Sequence, residues 1–173
     1  FNSLDLSDIN KKYSKRPYQI EAIQGCIKNL DLNNKVYLEL ATGGGKTYIV
    51  FNILSHYNPE TIIIFSPLKK INEQNIKDDY VQLLSNEYKI INLSENNVDQ
   101  LNNFLKLKNR KIIVGCIHSI EKLYNCLIKS EYKNIFVWFD EAHFGVENWI
   151  TDDNLDKYNE VKQFWLEDSK FIS

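Results

Sequence analysis

A chain of 173 residues, 43% hydrophobic and 25% charged, is long enough for one domain with a single core. Its net charge of −2 provides no global basic field for nucleic acid, so any such contact must be a local patch. No apolar run approaches the ~18 residues that span a bilayer, and the start, Phe1-Asn2-Ser3, has neither half of a secretion signal. The expectation is a protein with no membrane partner that is not secreted: intracellular, cytoplasmic, or viral and acting in a host cytoplasm. Cys26, Cys116 and Cys126 are odd in number and form no C-x-x-C, and His56, His118 and His143 stand singly. That pattern predicts free thiols in a reducing compartment and no zinc. The chain contains no Met, so it is expected to be cut from something longer.

In chain order, Ile20, Ile23, Ile27 and Leu30 fall at helical spacing behind Pro17, which suits a first helical turn. Residues 36–40 read as a short strand that ends at a glycine loop. Residues 47–57 are apolar nearly all round, as in a buried helix. Residues 61–65 are a β-branched and aromatic run stopped by Ser66-Pro67, which predicts a buried strand. A helix is expected through Ile76, Tyr80, Leu83 and Leu84, then a strand at 88–93. Val98, Leu101 and Leu105 mark the next helix, and the Asn-rich stretch from 92 to 103 reads as a solvated turn and helix start. A strand at 111–116, a helix through Ile120, Leu123, Tyr124 and Leu127, and a strand at 135–139 follow. Leu155, Tyr158, Val161 and Trp165 predict a last helix, and residues 171–173 a strand just beginning. Strands alternating with helices predict an α/β fold of three layers, with a mainly parallel central sheet and helices on both faces. Ligands in such folds sit beyond the carboxyl ends of the strands.

Two segments carry chemistry on that edge. The first is Leu40-Ala41-Thr42-Gly43-Gly44-Gly45-Lys46-Thr47. A triphosphate is densely anionic, and a backbone can wrap it closely only where no Cβ intervenes. Gly43, Gly44 and Gly45 can form a tight loop with N–H groups turned inward, at a helix start whose partial positive charge also favours phosphate. Lys46 would reach the β- and γ-phosphates, and the Thr47 hydroxyl would ligate Mg²⁺. The plain alternative is a flexible linker, which would have polar rather than apolar flanks. The second segment is Asp140-Glu141-Ala142-His143, 93 residues beyond Thr47. Asp140, at the end of an apolar strand, can hold Mg²⁺ opposite Thr47, and Glu141 can orient or deprotonate the attacking water. Taken alone, the two acids could equally cap a helix, and a lone His143 is usually structural or exposed.

Together these segments resemble motifs I and II of the superfamily 2 helicases and translocases. Arg16-Pro17-Tyr18-Gln19 resembles the adenine-reading segment of the DExH branch, which includes the motor subunits of type I and type III restriction enzymes. The resemblance runs from about residue 13 to the end. It implies a RecA-like P-loop NTPase domain, the N-terminal one of two, with the chain stopping at Ser173 near the expected motif III and the second domain absent. It also implies that Arg16 and Gln19 face adenine, that Thr42 belongs to the nucleotide loop, and that His143 links the ATP site to later motifs. Ser66-Pro67-Leu68-Lys69-Lys70 and the segment from Gly115 to Ile120 resemble the strand-end motifs that contact the nucleic-acid backbone, so Pro67, Lys69, Lys70 and His118 are candidates there. Lys69 and Lys70 read equally as a solvated helix terminus. Leu40 stands where the strict phosphate-loop pattern has Gly, which fits a helicase-type loop. The implied function is an ATP-binding motor domain of a nucleic-acid-dependent ATPase, with DNA favoured over RNA. The alternative is a nucleotide- or nucleic-acid-binding module without useful turnover.

Overall fold

The computed structural model describes residues 16–41, 43–127, 134–140 and 169–172. Helix α1 (Pro17–Asn33) starts with proline in its first turn, where a missing N–H costs nothing. The Gln19 side chain turns back to accept the Arg16 N–H at 3.1 Å, which closes the helix start. At the other end Asn34 takes a left-handed conformation, φ 56°, and its N–H bonds the Leu30 carbonyl. Then follow β1 (Lys35–Val36), α2 (Lys46–Tyr57), β2 (Thr61–Ser66), α3 (Lys69–Asn75), α4 (Asp78–Val81) and β3 (Tyr88–Asn92). The chain continues through α5 (Val98–Leu105), β4 (Arg110–Cys116), a 3₁₀ turn (Ile117–Ser119), α6 (Ile120–Leu127), β5 (Ile135–Phe139) and β6 (Ser169–Ile172).

Six strands form one sheet in the order β1-β6-β5-β2-β4-β3, with every pair parallel. The central strands alternate between two cores, because successive side chains leave a strand on opposite faces. Ile62, Ile64, Ile112, Val114, Phe136 and Trp138 face one core with Ile23, Leu30, Ile49, Phe51 and Ile53 of α1 and α2. Ile63, Phe65, Ile113, Ile135 and Val137 face the other with Leu101 and Leu105 of α5 and Leu123 and Leu127 of α6. A sheet covered on both faces explains the unbroken apolar runs at 62–65 and 135–139. The three-layer α/β architecture expected from the alternation is therefore present.

Three boundaries differ from the expectation. The first strand is two residues long rather than five. Its register sets Val36 against Ile172, so the next pairing would fall on Ser173, outside the described residues. Leu38 and Leu40 still pack on the core while Tyr37 and Glu39 are exposed, so the side chains alternate as in a strand beyond the paired residues. Of the helix expected through Ile76, Tyr80, Leu83 and Leu84 only α4 forms, and α3 precedes it, the two parted at Ile76 and Lys77 without a Gly or Pro. The final strand begins at Ser169, ahead of the expected 171. Lys170 ties it to α1 and α2, donating to the Leu30 carbonyl at 3.2 Å and lying 4.6 Å from the Tyr57 ring centroid. The helix expected through residues 155–165 lies outside the described residues. No described helix is long and apolar enough to cross a membrane.

Candidate nucleotide site

Parallel register decides which loops share an edge. Ser66 aligns with Cys116 and Phe65 with Phe139, so the segments after β2, β4 and β5 emerge side by side. Asp140 follows β5 directly, and its N–H bonds the Phe65 carbonyl at 2.8 Å, which locks it against β2. The glycine loop reaches the same edge as the lead-in to α2. Its residues, Lys46, Thr47, Asn75 and Asp140 line a cleft of about 970 Å³, with Tyr37 and Tyr80 on its rim.

The loop is held from α1. The Gly44 carbonyl accepts the Tyr18 hydroxyl at 2.9 Å and the Gln19 Nε2–H at 3.4 Å. Because a trans peptide sets C=O and N–H in opposite directions, the Gly45 N–H turns away from α1. Gly45 caps α2 at φ 80°, and a Cβ there would lie 2.6 Å from Gln19 Nε2. Not every loop N–H faces the cleft, however: the Gly44 N–H closes a turn on the Ala41 carbonyl at 2.9 Å. The N–H groups left over for the expected anion nest are those of Gly45 and the first turn of α2, which have no intrahelical acceptor.

Beyond the loop, Lys46 Nζ stands 3.6 Å from Asp140 Oδ1. Asp140 is 7% exposed, so this cation compensates a nearly buried carboxylate. Thr47 Oγ1 donates to Asn75 Oδ1 at 3.1 Å, and Asn75 Nδ2 donates to Asp140 Oδ2 at 2.9 Å. Asn75 thus joins the two residues assigned to the metal. Neither it nor Tyr18 figured as a site residue in the sequence, because an asparagine inside an amphipathic helix matches no motif. Its spacing of three from Asn72, which puts two amides on one helix face, was the only available signal.

The strand-end candidates fall on the same edge. Pro67 is half-buried, and Lys69, Lys70 and His118 are exposed. Lys69 is already paired with Glu95 at 2.7 Å, and that carboxylate raises the ammonium's pKa. Any phosphate there must compete with it. His118 lines a separate hollow with Val98, Asn102 and Glu121, between α5 and α6. Arg110 sits at the opposite end of β4, donating to the Asn58 and Pro59 carbonyls at 2.8 and 3.0 Å. Cys26, Cys116 and Cys126 are all buried and form no disulfide, and no group of three or more His, Cys, Asp or Glu that could hold a metal occurs among the described residues. Thr42, Glu141 and His143 lie outside the described residues.

Residues 12–171 match the family described as type III restriction enzyme, res subunit. Among solved structures, the ATP-dependent Type ISP restriction-modification enzyme LlaBIII bound to DNA aligns with a TM-score of 0.66 and 15% identity, over 95% of this chain and 13% of that one. A nuclease-deletion mutant of the Type ISP enzyme LlaGI in complex with a DNA substrate mimic aligns with a TM-score of 0.63 and 17% identity, over 82% of this chain and 16% of that one. The chain thus spans less than a fifth of the length of these structural relatives, and at such identity the likeness shows the fold. No curated protein matches the sequence. With the family match covering nearly its whole length, this chain belongs to the family of type III restriction enzyme res subunits.

Proposed function

We propose that this domain is the ATP-binding part of an ATP-driven DNA motor, a helicase or translocase, that works inside the cell. The observation that carries this reading is the convergence of Lys46, Thr47 and Asp140 around the glycine loop at one sheet edge. The donor set fits Mg²⁺. A hydroxyl and a carboxylate are hard oxygen ligands, and Mg²⁺ commonly takes only one or two from a protein beside phosphates and water. Bound Mg²⁺–ATP would supply the γ-phosphoryl group and neutralise its developing charge. Lys46 would leave Asp140 for the β- and γ-phosphates, and Glu141 would hold the attacking water. Thr42 would complete the loop, and His143 would connect the site to later motifs.

Gln19 keeps capacity for adenine. A primary amide has two N–H groups and two oxygen lone pairs. Arg16 and Gly44 use one of each, and the remaining pair matches the N6 donor and N7 acceptor of adenine. Arg16 would flank the base. On the track side, Pro67, Lys70 and His118, with Lys69 once released from Glu95, would meet backbone phosphates. That the two structural neighbours were solved with DNA or a DNA mimic favours DNA over RNA. A second RecA-like domain of the same parent chain would form the other wall of the cleft.

Thermal stability with and without Mg²⁺–ADP tests the phosphate site. At nucleotide about 100-fold above Kd, binding adds about 2.7 kcal/mol, and Lys46→Ala should abolish that gain while the fold persists. Equal stabilisation of the mutant removes the assignment. The same assay with ATP and GTP should show an adenine preference that Gln19→Ala loses. DNA binding should weaken steeply with salt, and binding that ignores salt or a Lys69/Lys70 double alanine change removes the track assignment.

A further inference from the structure

Helix α3 carries two buried asparagines one turn apart, and they are treated oppositely. Asn72 is fully buried with no partner for either amide atom. Asn75, 3% exposed, uses both of its amide ends. The direction of these bonds is what matters. The single Thr47 hydroxyl proton goes to Asn75 Oδ1, so the oxygen keeps its lone pairs for another partner. Asp140 accepts the Asn75 amide on Oδ2, which leaves Oδ1 on the side of Lys46. An aspartate at 75 would repel Asp140, and a lysine or arginine would offer Thr47 no acceptor. A neutral amide serves both neighbours at once.

We propose that Asn75 is a positioning residue for the divalent cation of the nucleotide site. It sets where the Thr47 proton points and which Asp140 oxygen is occupied, so the lone pairs left over are those offered to Mg²⁺. This rests on reading the edge as a Mg²⁺–nucleotide site. Asn75 would act on the cation through Thr47 and Asp140 rather than as a ligand. Its removal lets the Thr47 hydroxyl turn freely and gives Asp140 entirely to Lys46, which competes with the cation for the carboxylate.

The test separates cation from nucleotide. A fluorescent ADP analogue is titrated into wild type, Asn75→Leu and Asn72→Leu over a Mg²⁺ series and in EDTA. Leucine is close to asparagine in shape and removes both bonds. Loss of an outer-sphere partner typically weakens metal binding about 10–100-fold, so the Mg²⁺ midpoint of Asn75→Leu should rise by that factor. Its affinity in EDTA should stay at the wild-type value, and Asn72→Leu should titrate like wild type. An unchanged midpoint in Asn75→Leu overturns the proposal. So does an equal loss with and without Mg²⁺, the signature of a merely structural residue. If Asn75→Leu does not fold, Asn75→Ala is read by the same criteria. Wild-type binding that ignores Mg²⁺ overturns this inference and leaves the phosphate site standing. No nucleotide binding by the wild type removes both.

Discussion

Two glycines show how one residue type serves opposite ends. Gly25 lies exposed in the middle of α1, with nothing within 4 Å of a built Cβ, and its backbone freedom only opposes the helix. Gly25→Ala should therefore stabilise the protein by about 0.5–1 kcal/mol. Gly45 holds φ 80° at the start of α2 with Gln19 Nε2 in the space a Cβ would need. Gly45→Ala should cost about 1–2 kcal/mol from the left-handed backbone alone. It should also displace Gln19 and weaken ADP binding. Urea unfolding of both variants, with and without Mg²⁺–ADP, checks the two signs, and a neutral Gly45→Ala would mean the loop adopts another conformation in solution.

At the scale of elements, local rules account well for helices whose ends are capped by their own side chains. In α5, Asn97 Oδ1 accepts the Gln100 N–H at 2.9 Å and Gln100 Oε1 accepts the Asn97 N–H at 2.8 Å, a reciprocal cap spelled out in the sequence. Helix α3 follows no such rule. It buries two amides against β2 and β4 and ends beside Asp140. Asn72 spends desolvation without return, so Asn72→Leu should raise stability by about 1–3 kcal/mol in denaturant unfolding. A loss of stability would show that the buried amide is satisfied in solution by a group such as water.

For the whole molecule, burial of neutral acids governs the alkaline limb of stability. Burial pushes the Cys26 thiol from its ordinary 9.0 up to about 11, and burial likewise raises Tyr48, Tyr57 and Tyr88. Between these limits the folded chain keeps protons that the unfolded chain has lost, so stability is intact below pH 9 and declines as pH rises above it. Lys111, lowered by burial, acts in the reverse sense below its ordinary 10.5, while Lys69, raised by Glu95, adds to the decline above that value. Denaturant midpoints measured through this range should fall, and Cys26→Ala should delay the onset; a flat profile would refute the account. On the proposed function, turnover would likewise belong to the assembly. The two arginines of the chain are held at Tyr18 and at the far end of β4, and an arginine supplied to the γ-phosphate is worth roughly 10³–10⁵ in rate. The 173-residue chain alone should hydrolyse ATP near background and gain nothing from DNA. Robust DNA-stimulated hydrolysis would overturn the two-domain reading.

Sequence by itself determined the layer architecture and singled out the candidate phosphate loop. Runs such as 61–65 and 135–139, alternating with helical spacings, have few ways to bury both sheet faces, and Gly43 to Thr47 is a contiguous signal. The strand order, the short reach of β1 and the break between α3 and α4 were decided only by tertiary pairing, since no local residue encodes a partner strand. The same holds for Asn75 between Thr47 and Asp140, and for Tyr18 and Gln19 on the Gly44 carbonyl. Those contacts join residues 25 to 65 positions apart. A hydrogen bond over that distance depends on how packed elements meet, and that geometry exists only in the folded chain.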